Sequence, residues 1–407
     1  MKLLFLCHYY PPEVNAPASR TYENAKRWVR LGHEVTVITC APNAPRGEIY
    51  PGYRNRPRQI EYVDGVRVVR VWTFIAANKG TVRRILNYLS YMVSACLAAL
   101  LEPRPDVLVA TSPQFFCGWA GVLVHWMRRL PFVLEIRDIW PESITTVGAM
   151  KRGLAIRFLE GMEKRMYAAA DHIVAVGNGY RDNLISKGVR AEKISVVYNG
   201  VDLETFRPGP KDAAFLRRFG LEGFKVCGYI GTVGMAHGLE VMLRAAERTG
   251  DKPWKFLVVG DGARADELRE EAESKGLDNV VFTGRLAKNE MPAAWSALDL
   301  CLIHLRKSGL FQTVIPSKIF EAMGMGIPIL MGVEGEAMGL VEEAGAGLAM
   351  DPGNVESLLA GCEALLNGPS AAYGEAGRRF VVRRFDRDAL ASDYLEVLKR
   401  VKALKDL

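Results

Sequence analysis

Apolar residues in the first half of the chain form short runs, and between these runs lie segments whose apolar positions recur at helical spacing. Short runs rich in Val, Ile and Leu predict buried strands, and a period near 3.6 predicts helices that pack on one face. The predicted strands are 2–7, 35–39, 66–71, 107–110, 132–136, 172–175 and 194–197, and the predicted helices are 17–31, 82–101, 117–129, 153–169 and 179–187. This alternation predicts a parallel sheet that helices cover on both faces.

The second half alternates in the same way, without a detectable sequence repeat. Its predicted strands are 226–230, 256–259, 280–283, 300–305 and 328–331, and its predicted helices are 238–249, 263–275, 289–297, 316–324, 355–366 and 387–404. A Pro- and Gly-rich stretch at 206–210 separates the two sets and is typical of a hinge. We therefore predict an α/β protein with two doubly wound domains that face a cleft, divided between residues 205 and 206. Ligands of such sheets bind at the carboxyl ends of the strands.

Composition narrows the class of protein. The chain has 407 residues, of which 49% are apolar and 24% are charged. These values are ordinary for a soluble enzyme and exclude the disordered, collagen-like and low-complexity classes. The seven cysteines form no C-x-x-C pair, which predicts a reducing compartment and no zinc knuckle. The N-terminal apolar run is too short for a signal sequence.

The charge is unevenly distributed along the chain. Residues 1–208 hold 28 Lys and Arg against 18 Asp and Glu, a net charge of +10, whereas the whole chain carries +7. A basic half indicates a polyanionic partner, either nucleic acid or an anionic membrane surface. Arginines that are simply solvated on helix faces explain the excess equally well.

Two long uncharged runs resemble membrane spans. In the run 107–127, the residues from Thr111 to Gln114 predict a turn between a strand and a helix. The run 85–101 has 17 residues, fewer than the roughly 20 that span a bilayer. We predict that neither run crosses a membrane. Segment 83–101 is predicted to be a buried helix, with a helix lying on the membrane surface as the alternative.

A glycine-rich turn follows the first predicted strand of the second domain and leads into a helix. It runs from Gly231 to Gly238 and contains Thr232, Gly234 and His237. Such a turn presents free backbone N–H groups and suits a diphosphate, although an ordinary turn between a strand and a helix is the alternative. His237 is either a phosphate contact or a cap residue.

The segment 316–323 carries two charged residues three positions apart, Lys318 and Glu321. On a helix they share a face, so that the ammonium can contact a phosphate and the carboxylate can accept two hydrogen bonds from a ribose diol. The alternative is a surface ion pair of little energetic value. Arg137, Asp138 and Glu142 follow the predicted strand 132–136 and are candidates for a cleft wall, with a structural ion pair as the alternative.

An ordered series of short motifs runs along most of the chain. The series is Tyr10-Pro11-Pro12, Gly32-His33-Glu34-Val35, Asn199-Gly200-Val201-Asp202, Gly231-Thr232, Gly260-Asp261-Gly262, Gly284-Arg285, Glu321-Ala322-Met323 and Gly326-Ile327-Pro328. In this order and spacing the chain resembles the retaining glycosyltransferases of family 4, which have the GT-B fold. Segments 137–143 and 316–321 are most similar to the subgroup that adds N-acetyl-L-fucosamine or related amino sugars during O-antigen and capsule assembly.

The resemblance implies that the second domain binds a nucleoside-diphosphate sugar, which we expect to be UDP-linked and to carry an amino-deoxy sugar. It implies that the first domain binds a polyprenyl-diphosphate-linked saccharide at the cytoplasmic face of the plasma membrane, where the protein would be peripheral. It also implies that the last helix, at about 386–407, crosses back to the first domain. No metal or other cofactor is expected, and we expect Asp386-Arg387-Asp388, which matches the D-x-D metal motif of another fold, to begin that helix.

The resemblance also implies a role for individual residues at the positions that match the family's motifs. The expected catalytic residues are Asp138, Arg137, Lys318 and Glu321; the expected donor contacts are Gly231, Thr232, Gly234, His237, Arg285, Lys318 and Glu321; and the acceptor side is expected to include Asn15, Arg20 and Glu142. The chain departs from the family where Thr313 replaces the first acid of the E-x7-E motif.

Further departures concern charge at the diphosphate and the acceptor side. Thr232 and His237 stand where the family has Arg and Lys, and we infer that Lys318, with Arg306 or Arg285, supplies the missing positive charge. On the acceptor side, an arginine at position 137 replaces the usual histidine, and the pair at 15–16 replaces two glycines.

Other classes of protein remain as alternatives. A nicotinamide-dependent dehydrogenase would have G-x-G-x-x-G after the first strand, where this chain has Tyr9-Tyr10-Pro11-Pro12. A non-hydrolysing UDP-sugar 2-epimerase shares the fold class and would act without an acceptor. A non-catalytic protein that binds a membrane or nucleic acid would explain the basic half, but no recognition motif for nucleic acid is present.

Overall fold

The computed structural model describes residues 1–44, 46–76, 81–142 and 153–406. Contacts divide the chain into two units, Met1–Tyr198 with Asp388–Leu407, and Asn199–Arg387. The first boundary therefore lies before the predicted position of 205. The reason is local, because the Val201 N–H donates to the Phe385 carbonyl (3.0 Å) and the Arg378 guanidinium donates to the Phe206 carbonyl (2.9 Å), which holds the segment in the second unit.

The first unit contains an eight-stranded sheet in the order β3-β4-β2-β1-β5-β6-β7-β8. Its strands are β1 (Lys2–Leu6), β2 (Glu34–Cys40), β3 (Arg58–Val63), β4 (Val66–Val71), β5 (Val107–Thr111), β6 (Phe132–Ile136), β7 (His172–Ala175) and β8 (Ile194–Val196). All neighbours run parallel except β3 and β4. Strands β1 and β5 are parallel neighbours, and successive strands are added to the sheet in opposite directions on either side of this pair. The loops that follow these two strands therefore border the expected ligand crevice.

Strand β3 is a difference from the sequence prediction. It forms an antiparallel hairpin with β4, and the turn between them is Asp64-Gly65, with φ angles of 50° and 80°. A turn with positive φ at both central residues is the usual connection of a tight hairpin. The Asp-Gly pair is visible in the sequence, but β3 contains charged residues and was not recognised as a strand. Its side chains alternate between exposed and half-buried positions, as is usual for an edge strand.

Helices cover both faces of the first sheet. They are α1 (Ala16–Arg30), α2 (Thr81–Leu101), α3 (Phe115–Arg128), α4 (Leu154–Ala169) and α5 (Asn178–Ser186), together with the last helix of the chain, α14 (Arg387–Asp406). The return of α14 to this unit was predicted and is confirmed. It packs on α1, where the Trp28 indole N–H donates to the Ala391 carbonyl (2.9 Å) and the ring lies 5.3 Å from that of Tyr394.

Helix α2 is longer than its uncharged run suggested. Over Val82–Leu101 it is long and apolar enough, by length and composition alone, to cross a membrane, although one third of that window is buried inside the protein. The sequence argument that it is too short was therefore wrong. Its inner face packs on the sheet, because the Tyr91 hydroxyl donates to the Ile38 carbonyl (2.8 Å) and the Asn87 amide donates to the Phe74 carbonyl (2.7 Å).

The second unit contains a six-stranded parallel sheet in the order β11-β10-β9-β12-β13-β14. Its strands are β9 (Lys225–Ile230), β10 (Trp254–Val259), β11 (Val280–Gly284), β12 (Leu300–His304), β13 (Ile329–Gly332) and β14 (Gly347–Ala349). Its helices are α6 (Ala213–Arg218), α7 (Glu240–Glu247), α8 (Ala265–Ser274), α9 (Met291–Ser296), α10 (Lys318–Met325), α11 (Glu336–Ala344), α12 (Val355–Asn367) and α13 (Ser370–Arg384). Strand order reverses between β9 and β12, so the loops after these strands border the crevice of this sheet.

Candidate active site

Three glycines lie where β9, β10 and β11 end, and they bring three loops together at the edge of the second sheet. The Gly231 N–H donates to the Val259 carbonyl (2.9 Å), and the Gly260 N–H donates to the Gly284 carbonyl (3.0 Å). Gly260 has φ +139°, and a Cβ there would lie 1.9 Å from the Gly231 oxygen. Only glycine allows this approach, so the loops after β9 and β10 lie directly against each other.

His237 makes a hydrogen bond within the predicted diphosphate loop. Its Nδ1 accepts the Gly234 N–H (3.3 Å), so a neutral ring carries its proton on Nε2. Burial, reinforced by the charge of Lys318, lowers the pKa of His237 to about 3. The predicted phosphate contact is therefore a neutral ring that acts first as a cap of its own loop.

His304 is a residue that the sequence analysis missed. It ends β12, its Nδ1 lies 2.6 Å from the His237 carbonyl, and its Nε2 accepts the Gly353 N–H (2.8 Å). Because a carbonyl only accepts, Nδ1 carries the proton. His304 thus ties the diphosphate loop to the loop that follows β14, and only the fold reveals this contact between residues far apart in sequence.

Lys318 begins helix α10 and directs its ammonium group toward the Gly231 loop. The Nζ atom is inaccessible to solvent, has no hydrogen-bond partner among the described residues, and lies 3.6 Å from the centroid of the Tyr229 ring. A Cβ at position 231 would lie 2.9 Å from Nζ. Burial lowers the pKa of Lys318 to about 8. An enclosed amine without a partner is costly, and a bound anion would remove that cost.

Glu321 lies one helical turn after Lys318 on α10, as the sequence predicted. Burial raises its pKa, against the lowering effects of the positive charges on Arg387 and Lys318. The helix is held at this edge of the sheet by its apolar side chains, including Ile319 and Phe320, which are almost completely buried. The carboxyl group therefore occupies a fixed, partly dehydrated position.

The other cations expected at the diphosphate are arranged differently. Arg306 forms an ion pair with Glu240 and is half exposed. Arg285 directly follows Gly284 and has an exposed side chain. Thr232 contributes its backbone carbonyl to the Tyr229 hydroxyl (2.6 Å), and Thr313 ends a short 3₁₀ turn. Of the three candidate cations, Lys318 alone has an ammonium or guanidinium group that is both enclosed and unpaired within the described residues.

In the first unit, Arg20 forms a buried ion pair with Glu135. The guanidinium donates to Glu135 (2.8 Å) and to the carbonyls of Val197 and Tyr198 (both 2.9 Å), and both side chains are more than nine-tenths buried. Burial raises the pKa of Glu135, but the charges of Arg20 and Arg137 outweigh it, and the carboxyl stays ionised. Arg20 therefore has a structural contact inside the first unit, and its acceptor role stays a prediction.

Arg137 and Asp138 lie at the carboxyl end of β6. The Arg137 guanidinium donates to the carbonyls of Ala16 (2.9 Å) and Pro17 (3.1 Å), and burial lowers its pKa to about 10. Ser112, which the sequence analysis missed, accepts the backbone N–H groups of both Arg137 (2.7 Å) and Asp138 (3.1 Å). The turn that carries Asp138 is therefore fixed, and Arg137 stabilises the start of α1.

Asp138 faces a small pocket between β5, β6, α3 and α4. The pocket is otherwise mostly apolar, and its wall includes Phe115 and Trp140, whose rings stack at 4.6 Å. Of the remaining acceptor-side candidates, Asn15 caps α1 by accepting the Ala18 N–H (2.9 Å). Glu142 accepts a hydrogen bond from Asn183 (3.2 Å) at the last residue before the undescribed segment 143–152.

No group of three or more His, Cys, Asp or Glu side chains that could hold a metal ion occurs among the residues that the structure describes. The Asp386-Arg387-Asp388 segment lies at the start of α14, which begins at Arg387. The independence from metal remains a prediction that a measurement must test.

Family profiles identify the class of protein. Residues 15–200 match the glycosyl transferase 4-like domain, and residues 224–368 match the glycosyl transferases group 1 domain. With its two doubly wound units, the chain belongs to the glycosyltransferases of the GT-B fold. It is therefore an enzyme of glycosyl transfer, which decides against the dehydrogenase, the epimerase and the non-catalytic binding protein.

Several curated relatives span nearly the whole chain. The putative colanic acid biosynthesis glycosyl transferase WcaI of Escherichia coli is 26% identical over 98% of this chain and 100% of its own length. A GDP-mannose-dependent alpha-mannosyltransferase of Mycobacterium tuberculosis is 24% identical over 94% of this chain and 93% of its own length.

Solved structures confirm the predicted fold. Sucrose-phosphate synthase from Thermosynechococcus elongatus superposes with a TM-score of 0.76 at 16% identity, over 99% of both chains. HepE of Anabaena, in complex with UDP and glucose, superposes with a TM-score of 0.73 at 20% identity, over 98% of this chain and 99% of that one. At these identities the likeness concerns the fold alone.

Proposed function

We propose that this glycosyltransferase moves an amino-deoxy sugar from a UDP-linked donor to a polyprenyl-diphosphate-linked saccharide during the synthesis of a bacterial surface polysaccharide. The second unit binds the donor and the first unit binds the acceptor. The colanic acid relative supports the pathway class, and the resemblance of segments 137–143 and 316–321 supports the amino sugar.

The observation that carries this proposal is the Lys318 ammonium. It is enclosed, has no hydrogen-bond partner among the described residues, and lies beside the Gly231 loop. A diphosphate placed over that loop would accept hydrogen bonds from backbone N–H groups and pair with Lys318. Glu321, one turn along the same helix, would then accept hydrogen bonds from the ribose hydroxyls.

The chemistry follows from the charge that develops during bond cleavage. When the bond between the anomeric carbon and the diphosphate breaks, negative charge grows on the leaving phosphate and positive charge grows on the sugar ring. Fixed cations and N–H groups stabilise the first of these charges. In the proposed retaining reaction, the leaving phosphate accepts the proton of the acceptor hydroxyl, and the new bond forms on the same face. Asp138, held by Ser112, would orient the acceptor or stabilise the ring cation.

A screen of the purified protein against UDP-, GDP- and dTDP-sugars by thermal shift tests the donor assignment. A ligand at 100 times its dissociation constant adds about 2.7 kcal/mol to the free energy of unfolding. We expect the largest shift with UDP-linked amino sugars. A larger shift with GDP-mannose, the donor named for the mycobacterial relative, would overturn the choice of nucleotide.

Transfer is expected to proceed without a divalent metal. The described part of the chain offers no cluster of metal ligands, and Lys318 occupies the position where a cation is needed. Turnover in excess chelator should equal turnover in added magnesium, with the same donor and acceptor. Loss of turnover in chelator, followed by recovery on addition of magnesium or manganese, would contradict this prediction.

The acceptor determines the proposed location. A polyprenyl-linked saccharide is confined to a membrane, so the enzyme would work as a peripheral protein on the cytoplasmic face. The net charge of +10 on residues 1–208 supports this location, because a basic residue near an anionic leaflet contributes about 1 kcal/mol to binding.

A further inference from the structure

The outer face of α2 exposes a continuous apolar stripe. At 100° per residue, the side chains of Val82, Leu86, Val93, Leu97 and Leu100 fall within about 60° of one another around the helix axis. They are 43–72% exposed, although the opposite face of the same helix is buried against the sheet. An exposed apolar surface of this extent marks an interaction site in a folded protein.

Helix α3 extends this stripe sideways. Its Trp126 and Met127 are 55% and 53% exposed. The ends of the two helices are tied together, because the Arg128 guanidinium donates to the Ala99 carbonyl (2.6 Å) and that of Arg104 donates to the Arg128 carbonyl (3.0 Å). We call this surface the α2–α3 face and define it by seven side chains: Val82, Leu86, Val93, Leu97, Leu100, Trp126 and Met127.

The charged side chains of α2 and α3 themselves have one sign, and the acid nearest to α3 is Asp171, which lies beside His125 (3.7 Å). Neither helix contains Asp or Glu, and arginines lie at both ends of α2 and at the end of α3: Arg83, Arg84, Arg104, Arg128 and Arg129. The nearest acid in sequence, Glu102, is buried and paired with Arg58 and Arg67. An apolar stripe with a basic rim and an exposed tryptophan is typical of a surface that lies in the interface of an anionic membrane.

Resting on the proposed function, we propose that the α2–α3 face is the surface on which this enzyme lies against an anionic bilayer, with α2 parallel to the membrane plane. The inner face of α2 supports this orientation over a spanning one, because its hydrogen bonds anchor it to Ile38 in β2 and to Phe74 in the segment after β4. A second copy of the chain is disfavoured as occupant, because a two-fold interface through this face would bring arginines of both copies together.

The direction of α2 gives the proposal a consequence for the acceptor. The first half of the helix contacts Phe74, just after the end of β4, whereas Glu102 contacts Arg67 near the start of that strand. Helix α2 therefore runs from the carboxyl edge of the first sheet to its amino edge. A bilayer along the α2–α3 face would border the edge that carries Asp138, so a lipid-linked acceptor could reach it without leaving the membrane.

The seven native cysteines are all buried, which allows a site-specific label. Leu97→Cys, labelled with an environment-sensitive fluorophore, should shift to shorter wavelength on phosphatidylcholine vesicles that contain phosphatidylglycerol, and not on phosphatidylcholine alone. The matched control is Leu404→Cys, on the exposed face of α14 in the same unit and 72% exposed, which should not shift. Equal shifts at both positions would overturn the proposal.

Vesicle co-sedimentation measures the energetics of the same face. Leu97→Gln should lower the partition coefficient roughly tenfold, and Leu404→Gln should leave it unchanged. Arg83→Glu with Arg84→Glu should lower it roughly tenfold or more. Salt near 1 M, where the Debye length falls to about 3 Å, should release the protein. Binding that resists salt, or that is equal on neutral vesicles, would overturn the proposal, as would a dimer that Leu97→Gln dissociates.

UDP binding by each variant is measured in parallel without vesicles. Because these substitutions lie outside the donor-binding unit, UDP affinity should not change. Normal UDP binding with no vesicle binding would overturn the membrane surface and leave the donor proposal intact. Vesicle binding without any UDP binding would overturn the donor proposal and leave the membrane surface intact.

Discussion

Replacing Lys318 by methionine is expected to reduce turnover by about 10²–10³-fold while the fold remains intact. Removal of one preorganised group that stabilises a developing anion typically costs this much. Methionine keeps an unbranched stem of similar length that can still contact the Tyr229 ring, and it removes an enclosed charge that has no hydrogen-bond partner among the described residues, so the free protein should not lose stability. Arginine is a poor substitute, because Nζ already lies 3.6 Å from the centroid of the Tyr229 ring.

The effect should appear mainly in kcat at saturating donor. Negative charge on the leaving phosphate is larger in the transition state than in the bound donor, so Lys318 stabilises the transition state more. Kinetics with saturating UDP-sugar, together with the dissociation constant of UDP, separate the two effects. Weaker donor binding with unchanged turnover would contradict this role.

Proton uptake gives an independent measurement of the same contact. Because burial lowers the pKa of Lys318 to about 8, the amine is largely neutral at about pH 9 in the free protein. A diphosphate favours the charged form, so UDP binding at about pH 9 should take up protons, and binding at about pH 7 should take up fewer. Calorimetry in buffers of different ionisation enthalpy measures this uptake. Lys318→Met should abolish it, whereas Arg306→Met should not, because arginine stays protonated.

The alternation of apolar runs was enough to predict both sheets, since strands buried on two faces leave a strong signal in the sequence. Exposed or short elements have a weaker pattern of apolar residues and were harder to predict. Strand β3 places charged side chains at the sheet edge, and β14 has only three residues. Helices α6, α11 and α13 were also missed.

The donor side of the site was partly predictable because its residues are close in sequence. Lys318 and Glu321 share one turn of a helix, so their spacing alone predicted a common face. The enclosure of Nζ was not predictable, since it depends on Tyr229 and the Gly231 loop, which come from another part of the chain.

Contacts across long sequence distances explain the remaining differences. Arg306 and Glu240 are 66 residues apart, and Arg137 binds the Ala16 carbonyl from 121 residues away. Spacing arguments treat each arginine as available for substrate, whereas the fold uses these two to hold its own loops. A charged residue predicted near a crevice is therefore better evidence for the carboxyl edge of the sheet than for a contact with substrate.

Replacing Glu321 by alanine is expected to weaken UDP binding by about 10²-fold or more and to nearly abolish transfer. A carboxylate that accepts two hydrogen bonds from a ribose diol loses both in the variant, and hydrogen bonds to charged groups contribute about 1.5–3 kcal/mol each. The fold should survive, because alanine has a high helix propensity and the buried face of α10 is formed by other residues. Glu342→Ala, at an exposed glutamate of α11, is the matched control and should bind UDP normally.

A comparison of UDP with 2′-deoxy-UDP shows whether the lost energy belongs to the ribose. The native enzyme should bind UDP more tightly than the deoxy compound, because the deoxy compound lacks one hydroxyl that Glu321 contacts. In Glu321→Ala this preference should disappear, and the coupling energy of the cycle between residue and hydroxyl isolates the contact from indirect effects on Lys318. Calorimetry of the four combinations measures it. If the variant keeps the same preference for UDP, or binds UDP with native affinity, Glu321 does not hold the ribose and the donor lies elsewhere along α10.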